Sequence, residues 1–174
     1  MQSIQTVSEN TIYVGASDRR LAKFENLFPI PRGVSYNAYV ILDEKTALLD
    51  TADASVGAQF LENVAAALDG RKLDYLIVDH MEPDHAAMIE AVLVRWPDLR
   101  LVVNAKTLPM LKMYFPTDNA AIDDALVVKE GDTLDLGKHK LTFVMAPMVH
   151  WPEVMMTFDT TTGTLFSADA FGTF

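Results

Sequence analysis

The stretch "LDYLIVDHMEPDHAAMIEAV", residues 73–92, constrains this chain more than any other. The apolar run LDYLIVD reads as a short strand buried on both faces. It ends abruptly in His80, Glu82, Asp84 and His85, four potential metal or proton ligands within six positions, and the pattern then turns amphipathic again. Ligands at the end of a sheet strand lie where α/β folds bind what they bind. His80 and Glu82, two apart on an extended segment, project to the same side and can share one ion. Asp84 and His85 open the next helix and, pointing in other directions, can reach a second ion a few ångströms away.

The rest of the pattern surrounds that strand with alternating elements. "TIYVGA", "SYNAYVIL" and "TALLDT" are rich in β-branched and aromatic residues and read as strands, the last two joined by the turn-forming "DEK". Leu61, Val64, Ala65 and Leu68 recur at helical spacing between Ser55, a suitable N-cap, and Gly70. Ile89, Val92, Leu93 and Trp96 mark another helix stopped by Pro97. "LRLVVN" is strand-like, and "AKTLPMLKMYF" is helical with Pro109 in its first turn, where a missing N–H costs least. From residue 125 onward "ALVVKEG", "DTLDLG", "KLTFVMAP", "VMMTFDT" and "TLFSADAF" are short strands with no helix between them. Such an order predicts a layered α/β domain with a mixed sheet, and an unprotected strand edge in its second half.

Composition narrows the function classes. With 24 acidic against 14 basic residues the formal charge is -10, which repels nucleic-acid phosphates and anionic lipid. No apolar run approaches the ~18 to 20 residues that span a bilayer, and the N-terminus lacks the basic start and apolar stretch of an export signal. A cytoplasmic protein with no nucleic-acid or membrane partner is the expectation. The absence of cysteine removes disulfides, thiolate nucleophiles and Cys-based zinc sites, so any metal must be held by nitrogen and oxygen.

Two further positions join the cluster. His150, in "APMVHWPEVM", follows an apolar strand, and Asp169 closes "TLFSAD" at another strand end. His139, between lysines in "GKHKL", reads as part of a solvated turn and is given no role. Taken singly, each residue has a bland explanation: Asp84 as an N-cap, Glu82 as a solvated loop acid, His150 as a packed core histidine, Asp169 as a backbone acceptor. Taken together they do not, because burying three unpaired carboxylates costs several kcal/mol each. A multivalent cation resolves that cost.

The set His80-x-Glu82-x-Asp84-His85, His150 followed by "WP", Asp169 within "FSADAFG" and the opening "PRGVSYNAYVILDEKTALLDT" resembles the metallo-β-lactamase-like domain of flavodiiron proteins, from about residue 10 to the last residue. The resemblance implies a four-layer αββα sandwich, with residues 1–174 forming the N-terminal portion of a diiron domain whose second half is incomplete. It implies that His80, Glu82 and His150 bind one iron, Asp84 and His85 the other, and that Asp169 bridges the two. It implies reduction of dioxygen to water or of nitric oxide to nitrous oxide, with electrons from a rubredoxin-like donor passing through FMN. In the family that FMN sits on a flavodoxin-like domain and faces the diiron site of the partner in a head-to-tail homodimer. The flavodoxin-like domain and a further histidine ligand do not occur within these residues, so a fragment of a longer protein is expected.

Glu82 decides between branches of the fold. The zinc hydrolases have a histidine at that position, and carboxylate, the harder anionic donor, suits an iron that must visit the ferric state. A zinc-dependent hydrolase is the alternative, and a non-catalytic module binding adventitious metal is the third reading.

Overall fold

The computed structural model describes residues 3–24, 26–115 and 119–172. The chain opens with β1 (Gln5–Ser8), β2 (Thr11–Tyr13), β3 (Ala16–Asp18), β4 (Lys23–Phe24), β5 (Phe28–Pro29), β6 (Val34–Tyr36), β7 (Tyr39–Leu42) and β8 (Thr46–Leu49). A 3-10 turn, Ala54–Val56, leads into α1 (Gly57–Leu68), followed by β9 (Tyr75–Ile77), α2 (Pro83–Ala86), α3 (Ile89–Arg95), β10 (Arg100–Asn104), α4 (Thr107–Tyr114), α5 (Ala120–Asp123) and β11 (Leu126–Val128). The second half is β12 (Thr133–Asp135), β13 (Lys140–Met145), β14 (Met155–Asp159) and β15 (Thr164–Phe166). No helix of the described residues is long and apolar enough to cross a membrane.

Seven strands form one sheet in the order β1-β2-β7-β8-β9-β10-β11, antiparallel up to β8 and parallel from β8 to β11. The strand period of two splits its side chains between two cores. Val40, Leu48, Leu76, Val78, Leu101 and Val103 face the helices, packing with Phe60, Val64, Ile89 and Leu111. Ile41, Ala47, Leu49, Ile77 and Val102 face the other way, against Leu134, Leu141, Phe143, Met155 and Phe166 of the antiparallel sheet β12-β13-β14-β15. The result is three layers, helix, sheet and sheet. Among the described residues no helix covers the outer face of the second sheet, whose edge strands are β12 and β15.

Several local expectations change. "TIYVGA" and "SYNAYVIL" are not continuous strands: each breaks, at Val14–Gly15 and at Asn37–Ala38, and passes from the large sheet into the separate β3–β6 ladder. Gly15 allows the close approach this needs, since a Cβ there would fall 1.8 Å from the Tyr36 carbonyl oxygen. Ser55 is not the N-cap of α1: it lies inside the 3-10 turn, which Asp53 caps by accepting from the Ser55 amide, and α1 itself follows Val56 with no side-chain cap. Asp84 is not an N-cap. Glu82 occupies that position of α2, and Asp84 sits inside its single turn. The final strand stops at Phe166, so Asp169 lies in the turn beyond it.

His139 is the clearest correction. It is buried, with its ring Nδ1 2.7 Å from Asp159 Oδ2 and its amide donating to Asp43 Oδ2 at 2.6 Å. Flanking lysines suggested solvent, but the β12–β13 hairpin turn packs against the β7–β8 turn, where the Lys45 amide donates to the Leu136 carbonyl, and buries the residue between them. Burial pushes the Asp159 carboxyl up, yet hydrogen bonds from Thr162, His139 and the Thr161 amide outweigh it and hold it below the usual range. A depressed folded value means the stabilisation is complete above the unfolded carboxyl value near ~3.9 and is lost as pH falls through the folded value. Asp159→Asn is therefore expected to cost about 1–3 kcal/mol at neutral pH, with the gap to wild type closing below pH ~4. Urea denaturation of both proteins across pH measures it, and a gap that does not narrow in acid would contradict this account.

Candidate metal centre

Parallel strands β8, β9 and β10 end on the same side of the sheet, in register at Leu49, Ile77 and Val102. The segments leaving them place Asp50, then His80 to His85, then Asn104 along one rim. The second sheet supplies the rest: Met155 donates its amide to the Asp79 carbonyl at 3.0 Å, which seats the β13–β14 loop against the end of β9 and brings His150 over the rim. Asn104 fixes the same loop, its side-chain amide donating to the Glu153 carbonyl oxygen at 2.5 Å while its Oδ1 accepts from the amides of Lys106 and Thr107 that open α4.

The structure brings all six sequence-derived candidates together. Donor atoms of His80, Glu82, His150 and Asp169 lie within 4.8 Å of one another, as do those of Asp84, His85 and Asp169. Asp169 belongs to both groups. Its Oδ1 is 2.7 Å from His85 Nε2, and its Oδ2 is 3.2 Å from His150 Nε2 and 3.5 Å from His80 Nε2. Glu82 Oε2 is 2.8 Å from His150 Nε2 and 3.2 Å from His80 Nε2. Asp84 Oδ2 lies 3.7 Å from His85 Nε2.

Two carboxylates behind this layer went unnoticed in the sequence. Glu153 Oε1 faces His80 Nδ1 at 2.8 Å and also accepts the Met81 amide at 3.0 Å. Asp50 Oδ2 faces His85 Nδ1 at 3.0 Å, and its Oδ1 accepts the Asp79 amide at 2.7 Å. An ionised carboxylate only accepts, so each Nδ1 carries the proton and each Nε2 turns its remaining capacity toward the cluster. Glu153 stood two residues after "HW", and Asp50 at the end of "ALLD". Both are acids close to strands, Asp50 just after β8 and Glu153 two residues before β14, yet pairing them with His80 and His85 requires the strand order, which the sequence alone did not supply.

The electrostatics of the cluster favour positive charge at its centre. Burial pulls the His80 imidazolium down, but hydrogen bonds to Glu153 and Glu82 outweigh it and leave it raised to about 9. His85 behaves alike: burial opposes charge, and Asp169 and Asp50 hold it well above the ordinary histidine value. Burial also works against the charged form of Asp169, which His85, His80 and His150 nevertheless keep below the usual carboxylate range. Asp84 is pushed up to about 6, by burial first, with the negative charges of Asp169 and Glu82 adding and His85 opposing. Protons on His80 and His85 thus stand where a cation would, and nitrogen and oxygen donors converging from three segments, residues 80–85, His150 and Asp169, fit divalent metal ions in both groups.

A cavity of about 450 Å³ opens onto these residues, with Glu82, Asp84, His150 and Asp169 on one side and Phe24, Phe28 and Val34 on the other. The Trp151 ring meets His80 edge-on, centroids 5.4 Å apart.

Helices over a mixed sheet over an antiparallel sheet, with paired carboxylate–imidazole groups at the strand ends, define the metallo-β-lactamase-like class. Residues 34–174 match the family model described as "ODP family beta lactamase", and the chain belongs to that family. It is 38% identical over 170 residues to the anaerobic nitric oxide reductase flavorubredoxin of Klebsiella pneumoniae subsp. pneumoniae, an alignment covering 95% of this chain and 34% of that protein. Among solved structures it superposes on rubredoxin oxygen:oxidoreductase from Desulfovibrio gigas with a TM-score of 0.87 at 31% identity, covering 94% of this chain and 40% of that one. A flavodiiron protein from Giardia intestinalis gives a TM-score of 0.89 at 27% identity, covering 99% and 41%. The resemblance to flavodiiron proteins thus holds over nearly the whole chain, which spans about a third of the length of the flavorubredoxin it matches.

Proposed function

We propose that this chain is the iron-holding part of an oxidoreductase that reduces dioxygen or nitric oxide. His80, Glu82 and His150 would hold one iron, Asp84 and His85 the second, and Asp169 both. The observation that carries the reading is the pair of buried carboxylates, Glu153 and Asp50, that fix Nδ1–H of His80 and His85 and so aim both Nε2 atoms at the shared Asp169. The names of the flavorubredoxin and oxygen oxidoreductase relatives support it. An iron pair supplies the redox equivalents and an open coordination position for the small substrate.

The chain's own residues do the remaining work. Phe24, Phe28 and Val34 give the cavity an apolar wall, which suits a small uncharged molecule. Trp151 packs the edge of His80 and restricts its ring. In the whole protein the reading extends to FMN on a separate flavodoxin-like domain, a rubredoxin-like donor, a head-to-tail homodimer and a cytoplasmic location.

Anaerobic loading with Fe(II) followed by metal analysis tests this reading: about two irons per chain are expected. Zinc in the protein as purified, together with no uptake of Fe(II) on loading, would overturn it in favour of the hydrolase. Glu82→His should lower iron relative to zinc by on the order of tenfold, because the hard donor is gone while the outer partners remain. An unchanged ratio would remove the argument from donor hardness.

A further inference from the structure

The two residues that follow β8 both turn onto α2. In an extended strand neighbouring side chains point to opposite faces, but the left-handed backbone at Asp50, φ 55°, breaks that alternation, and the side chains of Asp50 and Thr51 reach the same helical turn. Asp50 Oδ2 faces the His85 ring at Nδ1. Thr51, 1% exposed, holds the other end of the same residue: its amide donates to the His85 carbonyl oxygen at 2.8 Å, and its hydroxyl donates to that oxygen at 2.5 Å. The hydroxyl oxygen accepts in turn from the amide of Met88, just ahead of α3, at 3.3 Å. A hydroxyl is one donor and two acceptor positions, so this one side chain serves a carbonyl of α2 and the entry to α3 together. The short helix needs such a tie. It is a single turn of four residues that carries Asp84 and His85, too short to hold its place by helix formation alone. Among the described residues, its backbone hydrogen bonds to another element both come from Thr51.

We propose that Thr51 is a positioning residue for the second metal position: by clamping the His85 carbonyl oxygen with amide and hydroxyl together, it sets where α2 stands against the end of β8 and so where Asp84 and His85 present their donor atoms. Asp50 fixes the ring of His85 and Thr51 its backbone, so consecutive residues of one strand end hold one ligand at two points. The first position depends on the clamp far less. His80 is held by Glu153, and His150 sits on the β13–β14 loop that Asp79 and Asn104 seat. The inference rests on the two-iron reading above.

Thr51→Val keeps the branched shape and removes the hydroxyl. Thr46, at the other end of β8, provides a matched control: it is equally buried, and its hydroxyl donates to the Lys72 carbonyl oxygen at 2.6 Å and accepts the Asp74 amide at 3.1 Å. The two valine variants should therefore lower the thermal midpoint of the metal-free chain to similar extents, while Thr51→Val alone changes metal binding. Stepwise anaerobic titration of the full chain with Fe(II), and separately with Zn(II), should show its second binding step weakened about tenfold or more, the scale of disturbing an outer support of a ligand, with the first step shifted far less. Thr51→Ser returns the hydroxyl and should bring the second step back near the parent value. Thr51→Ala, which removes the hydroxyl without crowding its neighbours, takes the place of valine if that variant does not fold. An unchanged second step, equal weakening of both steps, the same split in Thr46→Val, or no rescue by serine overturns the inference alone. A parent chain that takes up a single ion overturns the two-iron reading and this inference with it.

Discussion

Asp169→Asn is expected to empty the second metal position while leaving the first partly filled. The first group keeps His80, Glu82 and His150, three of its four donors. The second is left with Asp84 and His85 among the described residues, and a site of two donors competes poorly with water. Losing an outer partner already costs 10–100-fold, so loss of a donor shared by both groups should weaken the second step by about a hundredfold or more and the first by roughly tenfold. Asparagine keeps the shape and one oxygen, and the wild-type side chain is 35% exposed, so the metal-free variant should fold normally. Metal per chain after anaerobic loading and desalting measures the effect. Equal loss from both positions would show that Asp169 is not shared in the way its two oxygens suggest.

How far the sequence reached depends on distance along the chain. The spacing His80, Glu82, Asp84, His85 is local, and a strand end followed by one helical turn dictates where those side chains point. His150 and Asp169 were legible because each sits close behind an apolar strand, although both lie on turns rather than on the strands themselves. The two cores could be foreseen as layers from the alternation of apolar residues, but not the breaks at Val14–Gly15 and Asn37–Ala38, where both segments keep their strand-like composition while leaving one sheet for another. His139 misled for a related reason: its burial comes from Asp43 and Asp159, 96 and 20 residues away, and Lys138 and Lys140 beside it carry no information about that. The same holds for Glu153 and Asp50. A single acid at a strand end is common, and only the parallel order β8-β9-β10 sets Asp50 against the backbone of Asp79.

Asp50 is where stability and metal binding can be separated. It directly follows β8 with φ 55°, a left-handed conformation that Asp and Asn tolerate and alanine does not favour. It is buried, and one oxygen accepts the Asp79 amide while the other faces His85 Nδ1. Asp50→Ala strands both donors and is expected to destabilise the metal-free chain by about 3–5 kcal/mol, a large share of the ~5–15 kcal/mol that holds a typical domain together. Asp50→Asn differs in kind. Its carbonyl oxygen can still take the Asp79 amide, so the fold should lose only about 1–2 kcal/mol. Its NH2 then faces His85 Nδ1, donor against donor, and the imidazole can satisfy it only by moving its proton to Nε2, the atom that must be bare to bind a metal. Urea denaturation of the metal-free variants and Fe(II) titration of Asp50→Asn check the two halves. The asparagine variant should fold well and lose the second ion. If it binds that ion as tightly as wild type, Asp50 does not set the His85 tautomer, and the role argued here for the carboxylates behind the histidines falls for His80 and Glu153 as well.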